Sequence, residues 1–264
     1  MLDTIEMTTV GQNCRYDIRS YASLEPIHVM IKLYKESRKG VADALAAPRE
    51  VPGHLLYRPA PGELMRLPQP IEQSRPLYQA MVERTSLRFY DEKSVSQAQL
   101  ATILHTASTG DRQDWPQEGE AGIPLQFLLV AWRVEDLAPA VYRYEQDEHA
   151  LVYVGPAPNQ KEGGANLVLQ TEFGDAPLIV LITGNLAAAC ARHGAWGHRL
   201  LLLRAGAAGQ RMWLSSIGVG LVGTTFAGFL PRAAHRIAGV DGYKNASLFA
   251  YSTGYLHPDY ILSK

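Results

Sequence analysis

The stretch Glu83-Arg84-Thr85-Ser86-Leu87-Arg88-Phe89-Tyr90-Asp91 carries the strongest signal in the chain. Side chains of an extended backbone alternate between two faces, so Arg84, Ser86 and Arg88 share one face. Guanidinium groups bind phosphate oxygens in pairs, and a hydroxyl between them adds a donor. The spacing therefore predicts a phosphate-binding site. A second interpretation stays open, in which Arg84 stabilises the end of the preceding helix and Arg88 is solvated.

Regular hydrophobic patterns extend outward from this stretch and predict both helices and strands. The predicted helices cover 75–83, 96–107, 197–217 and 232–237. The predicted strands cover 125–132, 177–183, 219–226 and 246–251, and a hairpin covers 141–154. Ser96 and Gln99 fit a capping box. The order of elements predicts an α+β fold with a central sheet, and the helix over 197–217 is apolar nearly all round, so it must be covered on most sides.

Residues 1–73 differ from the rest and predict an N-terminal arm laid over a main domain of residues 74–264. One helix is predicted over 26–47. Its apolar face would consist of Ile27, Met30, Ile31, Tyr34, Val41 and Leu45. Prolines then recur from Pro48 to Pro70 and predict an extended, wrapping segment.

Composition excludes several classes of protein. The chain has 264 residues, of which 47% are apolar, enough for one large domain or one domain with an extension. The net charge of -1 argues against a nucleic-acid partner. Cys14 and Cys190 form no disulfide or zinc pattern, and no metal site is predicted. With no signal peptide and no membrane-length apolar run, we expect a cytoplasmic protein without a membrane partner.

The glycines of Gly218-Val219-Gly220-Leu221-Val222-Gly223 fit the spacing of a dinucleotide-binding motif. That motif needs a strand before the glycines and a helix after them. The predicted order here is the reverse, so we expect Gly218 and Gly220 to end the helix and form a turn.

The run from Arg84 to Ser96, followed by a predicted helix, resembles the opening signature of the nitroreductase superfamily. The resemblance extends from about Ser74 to Tyr255 and implies an FMN-binding fold with a mixed or antiparallel sheet flanked by helices, usually a homodimer. By this resemblance the FMN phosphate is held by Arg84, Ser86 and Arg88. The positions implied to face the flavin ring are Thr225, Ala227 and Gly228, with Ser108 and Arg112 as added contacts from a loop.

Several motifs resemble the azoline-oxidase branch of that family, whose members convert thiazolines and oxazolines of peptides into thiazoles and oxazoles. They are Val141-Tyr142-Arg143-Tyr144 with His149-Ala150-Leu151, Gly197-His198-Arg199-Leu200, Arg204-Ala205-Gly206 with Gln210, and Phe226-Ala227-Gly228-Phe229. This likeness implies an FMN-dependent oxidase in natural-product biosynthesis, acting on a small-molecule, peptide or carrier-bound substrate.

Two departures from the branch affect the expected chemistry. Arg192 and His193 stand where the branch carries a Lys-Tyr pair thought to supply the base. Histidine can accept a proton near neutral pH and arginine cannot, so His193 is the candidate base and Arg192 a candidate for orienting the substrate. The alternative is that both are solvated in a loop. The stretch 116–124 also lacks the branch's usual serine.

Two other functions remain open at this point. One is an NAD(P)H-dependent nitro- or quinone-reductase, which needs no long arm. The other is a non-catalytic relative that serves as a scaffold in a biosynthetic complex, which the departures at 192–193 and 117–122 favour.

Overall fold

The computed structural model describes residues 26–40, 46–163 and 166–260. They contain one seven-stranded sheet in which every neighbouring pair is antiparallel. The strands are β1 (Leu64–Arg66), β2 (Gln126–Ala131), β3 (Ala140–Glu145), β4 (Ala150–Pro156), β5 (Leu178–Gly184), β6 (Val222–Phe226) and β7 (Ala246–Gly254). Their order across the sheet is β1-β4-β3-β2-β5-β7-β6. The predicted α+β fold is confirmed, with an antiparallel sheet.

Helices flank this sheet. They are α1 (Pro26–Glu36), α2 (Leu77–Glu83), α3 (Gln97–Asp114), α4 (Pro116–Glu120), α5 (Gln160–Gly163), α6 (Leu186–His193), α7 (Trp196–Gly218) and α8 (Pro231–Ala238). Buried side chains of α3 and α7 form the larger core cluster against one face of the sheet, and those of α8 pack on the other face. The α3 helix continues seven residues beyond its predicted end at 107, so Ser108 and Arg112 lie in a helix and not in a loop.

The α7 helix matches its prediction closely, and most of its circumference is covered. Leu201, Ala205 and Met212 are fully buried in the larger core. Leu202 and Leu203, however, are exposed at 38% and 60%. The glycine-rich stretch runs from Gly218, the last residue of α7, to Gly223 in β6, and Gly220 adopts a φ of 79°. Gly218 and Gly220 therefore end the helix and form a turn, as predicted, and the order of elements is helix then strand, the reverse of a dinucleotide-binding motif.

The predicted capping box begins α3. The Ser96 side chain accepts a hydrogen bond from the Gln99 N–H at 3.2 Å, and the Gln99 side chain accepts one from the Ser96 N–H at 2.9 Å. Two N–H groups that the first helical turn leaves unpaired are thereby satisfied.

We expect Ser96→Ala to lower the free energy of unfolding by about 1 kcal/mol, because the Gln99 N–H loses its acceptor. Urea denaturation measures this loss. Ser96→Asp is the matched control, since its carboxylate keeps an acceptor at the cap. If Ser96→Ala and Ser96→Asp lowered the free energy of unfolding equally, the side-chain acceptor at position 96 would not contribute to stability.

The helix predicted over 26–47 in the N-terminal arm is shorter in the structure. The α1 helix ends at Glu36 instead of 47, where the Ser37 hydroxyl donates to the Tyr34 carbonyl. The expected apolar face is exposed, with Ile27, Met30, Ile31 and Tyr34 between 42% and 60% accessible. Val41 and Leu45 lie outside the described residues. Further along, β1 pairs with β4, so part of the arm extends the sheet of the main body. The boundary at residue 73 stays a prediction.

Candidate functional site

The signature stretch begins with an extended backbone at Arg84 and is fixed to the sheet at its far end. Residues 84–89 adopt no helix or strand. Leu87 is buried, and the Tyr90 hydroxyl lies 2.7 Å from the Ser252 hydroxyl of β7. Burial raises the pKa of Tyr90 far above its usual range, so its proton stays in place to hydrogen-bond. These contacts attach the end of the stretch that follows Arg88 to β7.

Both arginines lie against aromatic rings. The Arg84 guanidinium carbon is 4.3 Å from the centre of the Trp213 ring, and that of Arg88 is 5.8 Å from the centre of Phe173. Within the described part of the chain neither guanidinium forms an ion pair with a carboxylate. A half-buried guanidinium group without a protein anion can bind an anionic ligand. Ser86 lies between them and is exposed.

The predicted flavin-ring positions lie at the end of β6 and directly beyond it. Thr225 packs so tightly on α7 that a Cβ added to Gly209 would come within 2.8 Å of its methyl group. Gly209 and Trp213 are one helical turn apart, so Arg84 and Thr225 lie on the α7 side of the sheet. Phe226 stacks on Phe173 with ring centres 4.0 Å apart, and both belong to the core cluster on the opposite side, where Arg88 lies. Ala227 is exposed directly beyond β6.

Ser108 and Arg112 lie elsewhere in the protomer, close to the hairpin of β3 and β4. The Ser108 hydroxyl is buried and donates to the His105 carbonyl at 3.1 Å. Arg112 pairs with Asp147 at 2.8 Å. The structure does not bring either residue to Arg84 and Arg88 within one chain, and their role in flavin binding stays a prediction.

The Val-Tyr-x-Tyr…His motif has a clear structural role. The Tyr144 hydroxyl lies 2.7 Å from Nδ1 of His149, and Nε2 of His149 lies 3.0 Å from the Pro68 carbonyl. A carbonyl only accepts, so Nε2 carries the hydrogen and Nδ1 of the neutral ring accepts from Tyr144. Burial raises the pKa of Tyr144. This chain of hydrogen bonds attaches the proline-rich arm to the hairpin.

Arg192 and His193 form the last turn of α6, which corrects the alternative of a solvated loop. Nε2 of His193 lies 3.0 Å and 3.1 Å from the two carboxylate oxygens of Glu118, and Arg192 Nε lies 3.4 Å from one of them. Glu118 is fully buried.

The sequence alone does not predict Glu118 as a site residue, because residues 116–124 differ from the motif that the azoline-oxidase branch usually carries there. The sequence does carry a signal for the helix α4: Pro116 stands at its first position, and an acidic residue follows in the first turn. Trp213 and Phe173, on which the arginines lie, carry no signal in a single sequence.

Within one protomer, His193 is distant from the arginine site. It directly precedes α7, whereas Gly209, which contacts Thr225, lies in the second half of that helix. At 1.5 Å per residue the start of α7 and Gly209 are about 20 Å apart along the helix axis. The arginines and His193 are therefore separate features of a single chain.

The framework of the protein is an antiparallel sheet with a long, mostly buried helix packed beside its edge strand β6. Residues 81–255 match the Nitroreductase family, and the chain belongs to that family. The described helices include none long and apolar enough to cross a membrane.

Individual relatives agree with this assignment. A protein of Methanocaldococcus jannaschii named as a nitroreductase is 22% identical over 185 residues, which cover 69% of this chain and 93% of that protein. The fold is shared with nitroreductase-named structures from Anabaena variabilis (TM-score 0.59, 22% identity, 69% of this chain) and Ralstonia eutropha (TM-score 0.57, 21% identity, 80% of this chain). The matches cover 38% of the Anabaena chain and 99% of the Ralstonia chain.

One further structure aligns over nearly the whole chain. It belongs to the Escherichia coli microcin synthetase McbBCD complex with truncated pro-MccB17 bound, with a TM-score of 0.53 and 17% identity. The match covers 94% of this chain and 100% of that one, and therefore extends beyond residues 81–255.

Proposed function

We propose that this protein is an FMN-dependent dehydrogenase that oxidises a thiazoline, an oxazoline or a similar peptide-derived heterocycle in natural-product biosynthesis. The observation that carries the proposal is that the guanidinium groups of Arg84, against Trp213, and of Arg88, against Phe173, have no carboxylate partner among the described residues. The similarity in fold to a chain of a microcin synthetase complex supports the azoline branch.

FMN fits the residues present. Arg84, Ser86 and Arg88 would hold the phosphate, and Thr225, Ala227 and Gly228 would lie against the ring. Within the described residues neither the Ala227 N–H nor the Gly228 N–H donates a hydrogen bond, so both are available to polarise a ring atom. When bound, FMN supplies hydride acceptance and reoxidation by dioxygen.

The protein's own residues must handle the proton. Oxidation of a thiazoline removes one proton and one hydride from adjacent ring carbons, and the electron pair of the broken C–H bond forms the new ring double bond. We assign proton acceptance to His193 and substrate orientation to Arg192. Arg192 already binds the Glu118 carboxylate and the Arg49 carbonyl, which fixes where its guanidinium can act.

A homodimer belongs to the same proposal. Two apolar surfaces of the chain are exposed: one on α2 beside Arg84, the other on α1 and the start of α7, near His193. The first consists of Leu77, Tyr78, Met81 and Val82, and the second of Ile27, Met30, Tyr34, Leu202 and Leu203. Exposed patches of this kind mark interfaces. In a two-fold dimer each surface of one copy can meet the other surface of its partner. A cytoplasmic location stays a prediction.

The first test is the absorbance spectrum of the purified protein after incubation with FMN and desalting. We expect retained flavin absorbance, followed by anaerobic bleaching with a synthetic 2-aryl-thiazoline-4-carboxylate ester and formation of the thiazole. Bleaching by NADPH without oxidation of the thiazoline would indicate a nitro- or quinone-reductase. Failure to retain any flavin would refute the oxidase and leave a non-catalytic scaffold partner.

A further inference from the structure

Glu118 is a carboxylate enclosed by protein. Its side chain is 1% exposed, that of His193 is 7% exposed, and that of Arg192 is 14% exposed. An ionised carboxylate in such a place needs positive or hydrogen-bonding partners on all sides. Arg192 and His193 are the partners recorded for it among the described residues. The carboxylate of Glu118 therefore faces one guanidinium group and one imidazole ring.

The contact determines which nitrogen of His193 carries the hydrogen. Both carboxylate oxygens of Glu118 face Nε2, and an ionised carboxylate only accepts. The neutral imidazole therefore carries its hydrogen on Nε2 and a lone pair on Nδ1. Nδ1 makes no hydrogen bond with any residue in the described ranges. A fixed ring with one free, basic nitrogen is the arrangement that a general base requires.

Arg192 also fixes the pair in space. Its guanidinium donates to the Arg49 carbonyl at 3.1 Å and to the Gln117 carbonyl at 3.4 Å, while the Arg49 N–H donates to the Arg192 carbonyl at 3.1 Å. The arm, α4 and α6 therefore meet at one point. The orientation of His193 is set by three separate segments of the chain.

We propose that Glu118 is a positioning residue, which holds His193 with Nδ1 free to take the substrate proton, and that this pair serves the flavin site of a second copy of the chain. The inference rests on the proposed function, because it needs the FMN-linked oxidation and the dimer. Nδ1 of His193 would take the proton from a ring carbon of the azoline, and FMN, when bound, would supply the acceptor for the hydride from the neighbouring carbon.

The distances favour action between copies. His193 lies near the start of α7 and the arginine site near its second half, as described above. The apolar surface next to Arg84 and the apolar surface around α1 are on different parts of the chain. When the two surfaces meet across a two-fold axis, the arginines of one copy approach His193 of the other. The reciprocal contact completes a second, equivalent site.

The first test needs no flavin and no substrate. Protein with ¹⁵N-labelled histidine is examined by NMR, and the neutral His193 ring is expected to show one tautomer, with the hydrogen on Nε2. In Glu118→Leu the population of the other tautomer, with the hydrogen on Nδ1, should rise. A wild-type ring with its hydrogen on Nδ1 would overturn the proposal whatever the enzyme's activity.

The second test compares three FMN-loaded variants on the thiazoline ester. We expect kcat to fall about 100-fold in both Glu118→Gln and His193→Gly, with KM and flavin content nearly unchanged. Added imidazole should restore kcat in His193→Gly. Glu120→Gln, the same chemical change on the same helix at an exposed position, is the control. A purely structural cluster would instead lower flavin content and melting temperature without imidazole rescue.

The third test mixes subunits. Arg84→Ala, Arg88→Ala protein lacks the flavin site and His193→Gly protein lacks the base, so each is inactive alone. If His193 serves the partner's flavin, mixed dimers regain one working site, and activity rises to a measurable fraction of wild type. No recovery in verified mixed dimers would overturn action between copies. Wild-type protein inactive on every azoline would instead refute the proposed function.

Discussion

The double variant Arg84→Ala, Arg88→Ala is expected to bind FMN about 100- to 10,000-fold more weakly than wild type. Hydrogen bonds from a charged donor contribute about 1.5–3 kcal/mol each, so removal of two guanidinium partners costs roughly 3–6 kcal/mol. About 1.4 kcal/mol corresponds to a tenfold change in the dissociation constant. Titration of apoprotein with FMN, followed by flavin fluorescence, measures the change.

A matched control separates the site from general electrostatics. Arg58→Ala, Arg66→Ala removes the same two charges from exposed positions of the arm and should leave FMN affinity within a few fold. Because Arg84 covers the face of Trp213, the melting temperature of each apoprotein must also be compared. Unchanged FMN affinity in a folded Arg84→Ala, Arg88→Ala protein would show that the phosphate is bound elsewhere.

Loss of Asp111 is expected to have the largest effect on stability. Asp111 and Arg204 form a buried, two-point ion pair between α3 and α7, with N–O distances of 2.9 and 2.7 Å. Arg204 also donates to the Ile123 carbonyl at 3.0 Å and is 1% exposed. Asp111→Ala leaves this guanidinium buried without its anion, so we expect the free energy of unfolding to fall by about 3–5 kcal/mol.

The same two helices provide the control. Arg211 and Asp114 form a partly exposed ion pair at 2.6 Å, and Asp114→Ala should cost less than about 1 kcal/mol. Guanidinium denaturation of the three proteins measures both losses. Replacing both buried partners, as Asp111→Leu with Arg204→Met, should recover most of the stability, because no isolated charge then remains. Equal losses at the two pairs would contradict the role of burial.

Sequence patterns predicted the fold well where periodicity and end signals agree. The capping box at Ser96, the hairpin over 141–154 and the long α7 helix were all found within a few residues. The end of α3 was missed because Ser108, Thr109 and Gly110 are typical of loops, and only tertiary packing keeps them helical. The α1 helix was extended too far because alanine-rich sequence after Gly40 continues a helical pattern.

The candidate site was predictable only in part. Arg84 and Thr225 lie on the same side of β6, and both were found because local pattern and family resemblance refer to backbone position. Glu118 was not predictable, since its importance comes from His193 of α6, 75 residues later in the chain. A contact between distant segments leaves no trace in either segment alone.

The strand β1 also determines how this protein behaves in a crowded solution. At Ala150–Val152 it occupies backbone positions of β4 that would otherwise be open to a strand of another molecule. Open sheet edges are sites of aggregation, and natural proteins cover them. We therefore expect β1 to protect the protein from aggregation. A shortened chain that lacked β1 but kept every flavin-binding residue would expose the backbone of β4 as an unpaired sheet edge.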